Sequence, residues 1–159
     1  GPFGRPDMAY FKFTRAIVEG RPIELYNNGD MLRDFTYIDD VVEGVVRVAD
    51  KPASADASWS GDSPNPATSS APYRVYNIGH SDPVPLLEFV DVLERQLGLR
   101  AKRKYLPMQP GDVLATYADV SDLEREVGFR PETSIEDGLE RFVDWYRDYY
   151  GVGQPAGTP

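Results

Sequence analysis

The stretch NGDMLRDFTYIDD, residues 28–40, combines a turn, one arginine, a short extended run and an acidic helix start. Asn28 and Gly29 both tolerate positive φ and therefore predict a turn. Residues 34–37 alternate polar and apolar side chains, which predicts a half-buried strand. Arg33 thus lies between a turn and a strand, where its planar and permanently charged guanidinium suits a phosphate or a carboxylate.

Helices and strands are predicted to alternate along the rest of the chain. Either Asp39 or Asp40 is expected to cap the helix after the opening stretch, Gly98 to end a later helix, and Ser134 to cap the last one. Apolar spacing predicts helices over residues 8–19 and 85–97. Further helices are predicted over residues 40–49, 122–127 and 135–149, and further strands over residues 23–26, 73–78 and 102–106. This alternation indicates an α/β fold, although four short strands are few for a complete doubly wound domain.

Two segments lack this periodicity. Residues 51–72 are rich in Ser, Pro and Ala, which predicts a long loop that is functional or mobile, with Trp59 as a candidate anchor. Residues 151–159 are predicted to form a disordered tail. The remaining chain, residues 1–150, is interpreted as one domain.

Composition excludes several functional classes. The 159 residues include no cysteine and one histidine, His80, so disulfides, cysteine-ligated metals and a multi-histidine metal site are excluded. No apolar run approaches the roughly 20 residues that span a bilayer. No signal peptide opens the chain, and a cytoplasmic protein without membrane contact is therefore expected.

The net charge of −9 argues against nucleic-acid binding, which needs a basic face. It also repels anionic ligands on average, so any such ligand must be met by a local arginine cluster. The candidates early in the chain are Arg5, Arg15, Arg21 and Arg33. We interpret Arg15 and Arg21 as solvated surface charges, and Arg5 and Arg33 as candidate ligand contacts.

Motifs in a fixed order resemble those of extended short-chain dehydrogenases that act on nucleotide sugars, and among them the UDP-glucuronate 4-epimerases. The first of these motifs is the segment RDFTYIDD within residues 28–40. The others are GPFGRPDMA at residues 1–9, WSGDSP at 59–64, YRVYNIG at 73–79, MQPGDV at 108–113, TYAD at 116–119 and FVDWYR at 142–147. The resemblance implies the small, C-terminal, nucleotide-sugar-binding part of that α/β fold, lacking most of the Rossmann sheet.

For the parent enzyme, the resemblance implies NAD-dependent C4 epimerisation of UDP-glucuronate to UDP-galacturonate. It implies that Arg33 contacts the diphosphate, Tyr26 stacks on or walls the uracil, and Asp112 accepts a hydrogen bond from a ribose hydroxyl. Arg5 would hold the glucuronate carboxylate. Gln109, which stands where the wider family often has an arginine, is the fifth substrate-binding residue that the resemblance implies. No catalytic, cofactor-binding or metal-binding residue is assigned to this chain.

The chain contains neither a G-x-x-G-x-x-G loop for the NAD pyrophosphate nor the Tyr-x-x-x-Lys pair of the resembled family. The chain alone is therefore expected to be inactive and to bind no NAD. Its expected partners are a UDP-sugar, a missing N-terminal Rossmann half, and further copies recruited by the unpaired edge of residues 73–78. Two alternatives stay open: a non-catalytic nucleotide-sugar-binding or partner-docking module, and the substrate half of a UDP-glucuronate decarboxylase or a dehydratase.

Overall fold

The computed structural model describes residues 1–153, which form an α/β arrangement with few strands. The helices are α1 (Ala9–Val18), α2 (Ile38–Asp50), α3 (Leu86–Leu97), α4 (Ser121–Val127) and α5 (Ile135–Tyr150). The strands are β1 (Pro22–Leu25), β2 (Leu32–Arg33), β3 (Val84–Pro85) and β4 (Lys102–Tyr105), and a short 3-10 helix, Tyr26–Gly29, joins β1 to β2.

The described strands form two separate pairs. β1 runs parallel to β4, with Ile23 opposite Arg103, and β2 runs antiparallel to β3, with Leu32 opposite Pro85. The β1–β4 pairing continues past both strands, because the N–H of Asn28 donates to the carbonyl of Leu106 at 2.9 Å. This places the turn after β1 beside the loop after β4, which is where the candidate site is built.

The core lies between α1, α3, α5 and β1. The apolar face of α3 is fully buried at Phe89, Val90 and Leu93, as its helical spacing predicts. Phe35, just after β2, stacks on Phe89 with ring centroids 4.6 Å apart. Phe142 of α5 belongs to the same buried core. The segment that carries Arg33 is thus fixed to the core by the aromatic residue two positions later.

Several local predictions are confirmed. Gly98 ends α3 in the left-handed conformation with φ +63°, which a glycine adopts without a steric penalty. Ser134 caps α5, since its hydroxyl accepts the N–H of Asp137 at 3.1 Å. The strand expected near residues 23–26 and the one near residues 102–106 both form, as β1 and β4.

The strand predicted over residues 34–37 is wrong, because the strand is confined to Leu32–Arg33. The backbone N–H of Asp34 donates to the hydroxyl of Thr116 at 2.9 Å. It therefore bonds to a side chain and not to the backbone carbonyl of a neighbouring strand. The strand predicted over residues 73–78 is also wrong. Its one bridge joins Arg74 to Thr68, and the described residues provide no neighbouring strand for the rest.

The expected cap of α2 is wrong as well. Tyr37 occupies the N-cap position, and no side chain caps the helix. The Asp40 carboxylate instead accepts the backbone N–H groups of Glu132 and Thr133 and the Thr133 hydroxyl, at 3.2, 2.9 and 2.9 Å. A tertiary contact more than 90 residues away in sequence therefore outcompetes the local cap.

The loop over residues 51–72 forms turns and bends rather than a regular element. Trp59 anchors it internally, because its indole N–H donates to the carbonyl of Asn65 at 3.2 Å. Of the predicted tail, residues 151–153 form a turn and residues 154–159 lie outside the described residues. The division of the chain at residue 150 stays a prediction. Within residues 1–153, no helix combines the length and the apolarity that crossing a membrane requires.

Candidate functional site

An ion pair between Arg33 and Asp112 forms the centre of the candidate site. The Nη2 atom of Arg33 lies 2.9 Å from Oδ1 of Asp112. The Nη1 atom donates to the carbonyls of Leu32 and Leu114 at 2.8 and 3.3 Å. Because two carbonyls orient the guanidinium, its remaining edge faces the Asp112 carboxylate. Arg33 is 21% exposed and Asp112 33% exposed, so the pair is reachable from solvent.

Backbone hydrogen bonds hold the Asp112 loop against β2. The N–H of Leu32 donates to Leu114 at 2.9 Å, and the N–H of Thr116 donates back to Leu32 at 3.2 Å. The Asp112 carboxylate also accepts the N–H of Val113 at 2.8 Å, which fixes its orientation. The structure thereby brings together two residues that sequence analysis selected on separate motifs.

Gln109 begins the same loop. Its carbonyl accepts the N–H of Asp112 at 3.1 Å, which closes the turn that carries the carboxylate. The residue is exposed, and it brings an uncharged amide to this turn. Gln109 and Asp112 therefore belong to one turn, and Arg33 contacts Asp112 directly.

Tyr26 follows β1 in the half-buried turn that Leu106 anchors. Its hydroxyl lies 3.4 Å from Oε2 of Glu24, whose other oxygen binds Lys104 at 2.8 Å. The hydrogen bond from Lys104 lowers the pKa of Glu24, so the acceptor stays charged. Tyr26 thus lies beside the loop that leads to Gln109 and Asp112, and within residues 1–153 its hydroxyl bonds to Glu24 rather than to Arg33.

Arg5 forms a separate ion pair. Its Nε and Nη2 atoms bind the two oxygens of Asp7 at 3.1 and 2.5 Å, and the side chain is 75% exposed. These hydrogen bonds raise the pKa of Arg5 and lower the pKa of Asp7. The structure does not bring Arg5 into contact with Arg33 or Asp112.

Arg15 and Arg21 are exposed, and both bind Glu19 at the end of α1. The interpretation of these two arginines as surface charges is confirmed, since their partner is a solvent-exposed carboxylate. Among the four early arginines, Arg33 is the one whose contacts reach a loop distant in sequence.

Sequence analysis missed Asp34, which it treated only as the start of a strand. Its Oδ2 atom accepts the N–H groups of Ser81 and Ala118 at 3.1 and 3.0 Å, and its Oδ1 atom is buried without a partner in the described structure. Gly79 makes this crossing possible, because a Cβ there would lie 2.3 Å from the Cβ of Ala118. The signal available in the sequence was the position of Asp34, which directly follows the candidate ligand contact Arg33.

Three comparisons with known proteins agree with the fold. Residues 1–79 match the NAD dependent epimerase/dehydratase family. Protein CapI of Staphylococcus aureus is 57% identical over 150 residues, which cover 94% of this chain and 45% of that protein. UDP-glucuronate 4-epimerase 1 of Arabidopsis thaliana is 46% identical over 160 residues, which cover 98% of this chain and 36% of that protein. A structure of UDP-glucuronic acid 4-epimerase from Bacillus cereus, in complex with UDP-glucuronic acid and NAD, matches with a TM-score of 0.76 and 29% identity, covering 94% of this chain and 43% of that one.

Residues 1–79, about half of the chain, belong to the NAD dependent epimerase/dehydratase family, and the α/β fold of the chain matches a part of the extended short-chain dehydrogenase fold. Its relatives include UDP-glucuronate 4-epimerases from plants and bacteria. The chain spans less than half the length of each of the relatives compared above.

Proposed function

We propose that this chain recognises UDP-glucuronate for an NAD-dependent 4-epimerase that forms UDP-galacturonate. The observation that carries the proposal is the 2.9 Å contact between Arg33 and Asp112, which lie 79 residues apart in sequence. Relatives named UDP-glucuronate 4-epimerase, and a solved one that holds UDP-glucuronic acid and NAD, support the choice of substrate. The proposal includes a cytoplasmic location, as the sequence-based interpretation expected.

The proposed roles follow from what each group can donate or accept. A guanidinium binds a phosphate and a carboxylate with the same fork of N–H groups. The ligand diphosphate would therefore replace Asp112 on Arg33 and release that carboxylate to accept a ribose hydroxyl. Tyr26 would wall the uracil, and the amide of Gln109 would add an uncharged donor near the diphosphate.

We assign NAD binding to sequence outside this chain. The sequence contains no G-x-x-G-x-x-G loop, so its residues do not fit the pyrophosphate of a dinucleotide. NAD would accept and return a hydride at C4 in the complete enzyme. This chain's own contribution would be to bind and orient the sugar nucleotide.

The chain alone is expected to form no UDP-galacturonate from UDP-glucuronate and NAD, because binding groups without a proton-transfer pair do not carry the reaction. The measurement is chromatography of the nucleotides after incubation with purified chain. A chimera serves as the positive control: it joins this chain to the part of the Staphylococcus aureus relative that precedes the matched region. UDP-galacturonate made by the chain alone, above a protein-free blank, would contradict the proposal.

In the chimera, Arg33→Ala is expected to weaken UDP-glucuronate binding by about 1.5–3 kcal/mol, or roughly 10- to 150-fold, because a hydrogen-bonded charge is lost. Arg33→Lys should recover only part, since a lysine cannot present the bidentate fork. Arg21→Ala is the matched control, because Arg21 is exposed and bound to Glu19. Titration calorimetry checks the affinities, and an unchanged value for Arg33→Ala would remove Arg33 from the site.

A further inference from the structure

Asp34 connects three segments of the chain beside the candidate site. Its Oδ2 atom accepts the backbone N–H of Ser81 at 3.1 Å and that of Ala118 at 3.0 Å. The backbone N–H of Asp34 itself donates to the hydroxyl of Thr116 at 2.9 Å. We call these three hydrogen bonds the Asp34 clip. The clip joins the residue after β2 to the loop before β3 and to the loop between β4 and α4.

The two N–H groups that meet at Asp34 come from loops that are also bonded to each other. The hydroxyl of Ser81 donates to the carbonyl of Ala118. Ser81 has φ +60°, in the left-handed region that residues other than glycine rarely adopt. Such strain persists only where the surrounding contacts hold it, and it is concentrated at functional sites. The charge of a carboxylate strengthens hydrogen bonds from backbone N–H groups, so Asp34 is well suited to hold this contact.

The clip lies close to the ion pair between Arg33 and Asp112. Arg33 directly precedes Asp34 in the sequence, and Thr116 and Ala118 follow Asp112 in one loop. Residues 109–115 of that loop are all exposed, so burial of side chains in the core does not fix their position. Hydrogen bonds to β2 and the Asp34 clip hold the loop instead. The position of the Asp112 carboxylate therefore depends on these bonds.

We propose that Asp34 is a positioning residue for the sugar nucleotide, which holds Asp112 where its carboxylate can accept a ribose hydroxyl while Arg33 binds the diphosphate. Asp34 acts through Asp112 and not through a ligand contact of its own. A loop that is ordered before the ligand arrives does not have to be ordered at the expense of binding free energy. The inference rests on the proposed function and adds to it the residue that keeps the two halves of the site together.

Substitution of Asp34 in the chimera tests the proposal. We expect Asp34→Ala to bind UDP-glucuronate at least about tenfold more weakly, because the loop must then be ordered on binding. Asp34→Asn should recover the affinity to within about threefold, because a carboxamide oxygen can accept the same two N–H groups. Ser134→Ala is the matched control, since it also removes a side-chain acceptor of a backbone N–H, but at the start of α5. It should stay within about twofold of the unmodified chimera, because distant sites act independently.

A double-mutant cycle distinguishes positioning from a general loss of stability. In the Asp112→Ala background, Asp34→Ala should weaken binding by less than about threefold, because the carboxylate that it positions is already absent. Hydrogen exchange of the ligand-free chimera gives a second measurement. We expect Asp34→Ala to accelerate exchange of the Ala118 N–H at least about tenfold and Ser134→Ala to leave it unchanged. If Asp34→Ala does not fold, Thr116→Val replaces it, and its affinity should fall at least about threefold through the loss of one hydrogen bond.

The outcomes separate this inference from the proposed function. Unchanged affinity in Asp34→Ala, or in Thr116→Val where that variant replaces it, would overturn the role of Asp34 while an unmodified chimera that binds UDP-glucuronate upholds the proposed function. A loss that is equally large in the Asp112→Ala background would also overturn the role, because Asp34 would then not act through Asp112. Unchanged exchange at Ala118 would show that Asp34 does not hold the loop. An unmodified chimera that does not bind UDP-glucuronate would overturn the proposed function and the role of Asp34 with it.

Discussion

Replacing Glu94 with alanine is expected to lower the free energy of unfolding of this chain by about 1.5–3 kcal/mol, because it removes the buried carboxylate that accepts hydrogen bonds from the half-buried Arg103 and from the backbone N–H of Ala101. Glu94 is 3% exposed. Its carboxylate accepts Nη2 of Arg103 at 3.0 Å, Nη1 of Arg100 at 2.8 Å and the N–H of Ala101 at 3.1 Å. The residue therefore joins the end of α3 to β4, and β4 in turn positions the loop of the candidate site through its pairing with β1.

The effect depends on pH in a defined direction. Burial raises the pKa of Glu94, but the hydrogen bonds from Arg100, Arg103 and Ala101 outweigh it, so the pKa lies below its usual value of 4.5. A lowered pKa in the folded state stabilises the fold above that usual value, and the contribution is lost as the pH falls through the folded-state pKa. The difference between Glu94→Ala and the unmodified chain should therefore be largest near neutral pH and shrink on acidification below 4.5.

Urea denaturation followed by circular dichroism, at neutral and acidic pH, measures this difference. Arg100→Ala is the matched control, because its side chain is 88% exposed and an exposed partner of an ion pair contributes at most about 1 kcal/mol. If Glu94→Ala unfolds as Arg100→Ala does at neutral pH, the cluster is not a stabilising contact.

Replacing Arg5 with alanine in the chimera is expected to change the identity of the product. In the proposed reaction the sugar passes through a C4 ketone, which is a β-keto acid. Such an acid loses CO₂ when the bond to its carboxyl carbon stands perpendicular to the ketone plane. A bidentate arginine can hold the carboxylate away from that geometry. Without Arg5, CO₂ and a pentose nucleotide should appear beside or in place of UDP-galacturonate.

In the structure, the ion pair between Arg5 and Asp7 is exposed to solvent. Asp7 is 56% exposed and Arg5 is 75% exposed, so the pair is weakened by solvent and can exchange for a ligand carboxylate. Nuclear magnetic resonance of the products distinguishes the outcomes, with Arg21→Ala as the control. Weaker binding with an unchanged product would make Arg5 a general anion contact, and no change would leave it as a loop arginine bound to Asp7. CO₂ release by the unmodified chimera would favour the decarboxylase alternative.

Local sequence determined the helices, the β1 and β4 strands and two helix ends. The apolar faces of α1, α3 and α5 follow from side-chain spacing alone, and Gly98 and Ser134 act on the backbone within a few residues of themselves. Arg33 could be selected for the same reason, because its charge and its place after a turn are local properties. The predictions that hold are those whose physical cause lies within one element.

Tertiary structure decided everything that depends on a distant partner. Asp40 binds Thr133 instead of capping α2. Asp34 bonds to a distant loop at Ala118 instead of starting a strand. Asp112 contacts Arg33, which lies 79 residues away in the sequence. Residues 73–78 have strand-forming side chains, but a strand also needs a neighbour with free hydrogen-bonding groups. The sequence predicted the helix α2, but only the packing of Gly44 on Ile78 determined which face of that helix is covered. Spacing fixes where side chains point along one element, whereas hydrogen bonds and contacts between elements depend on how the whole chain closes.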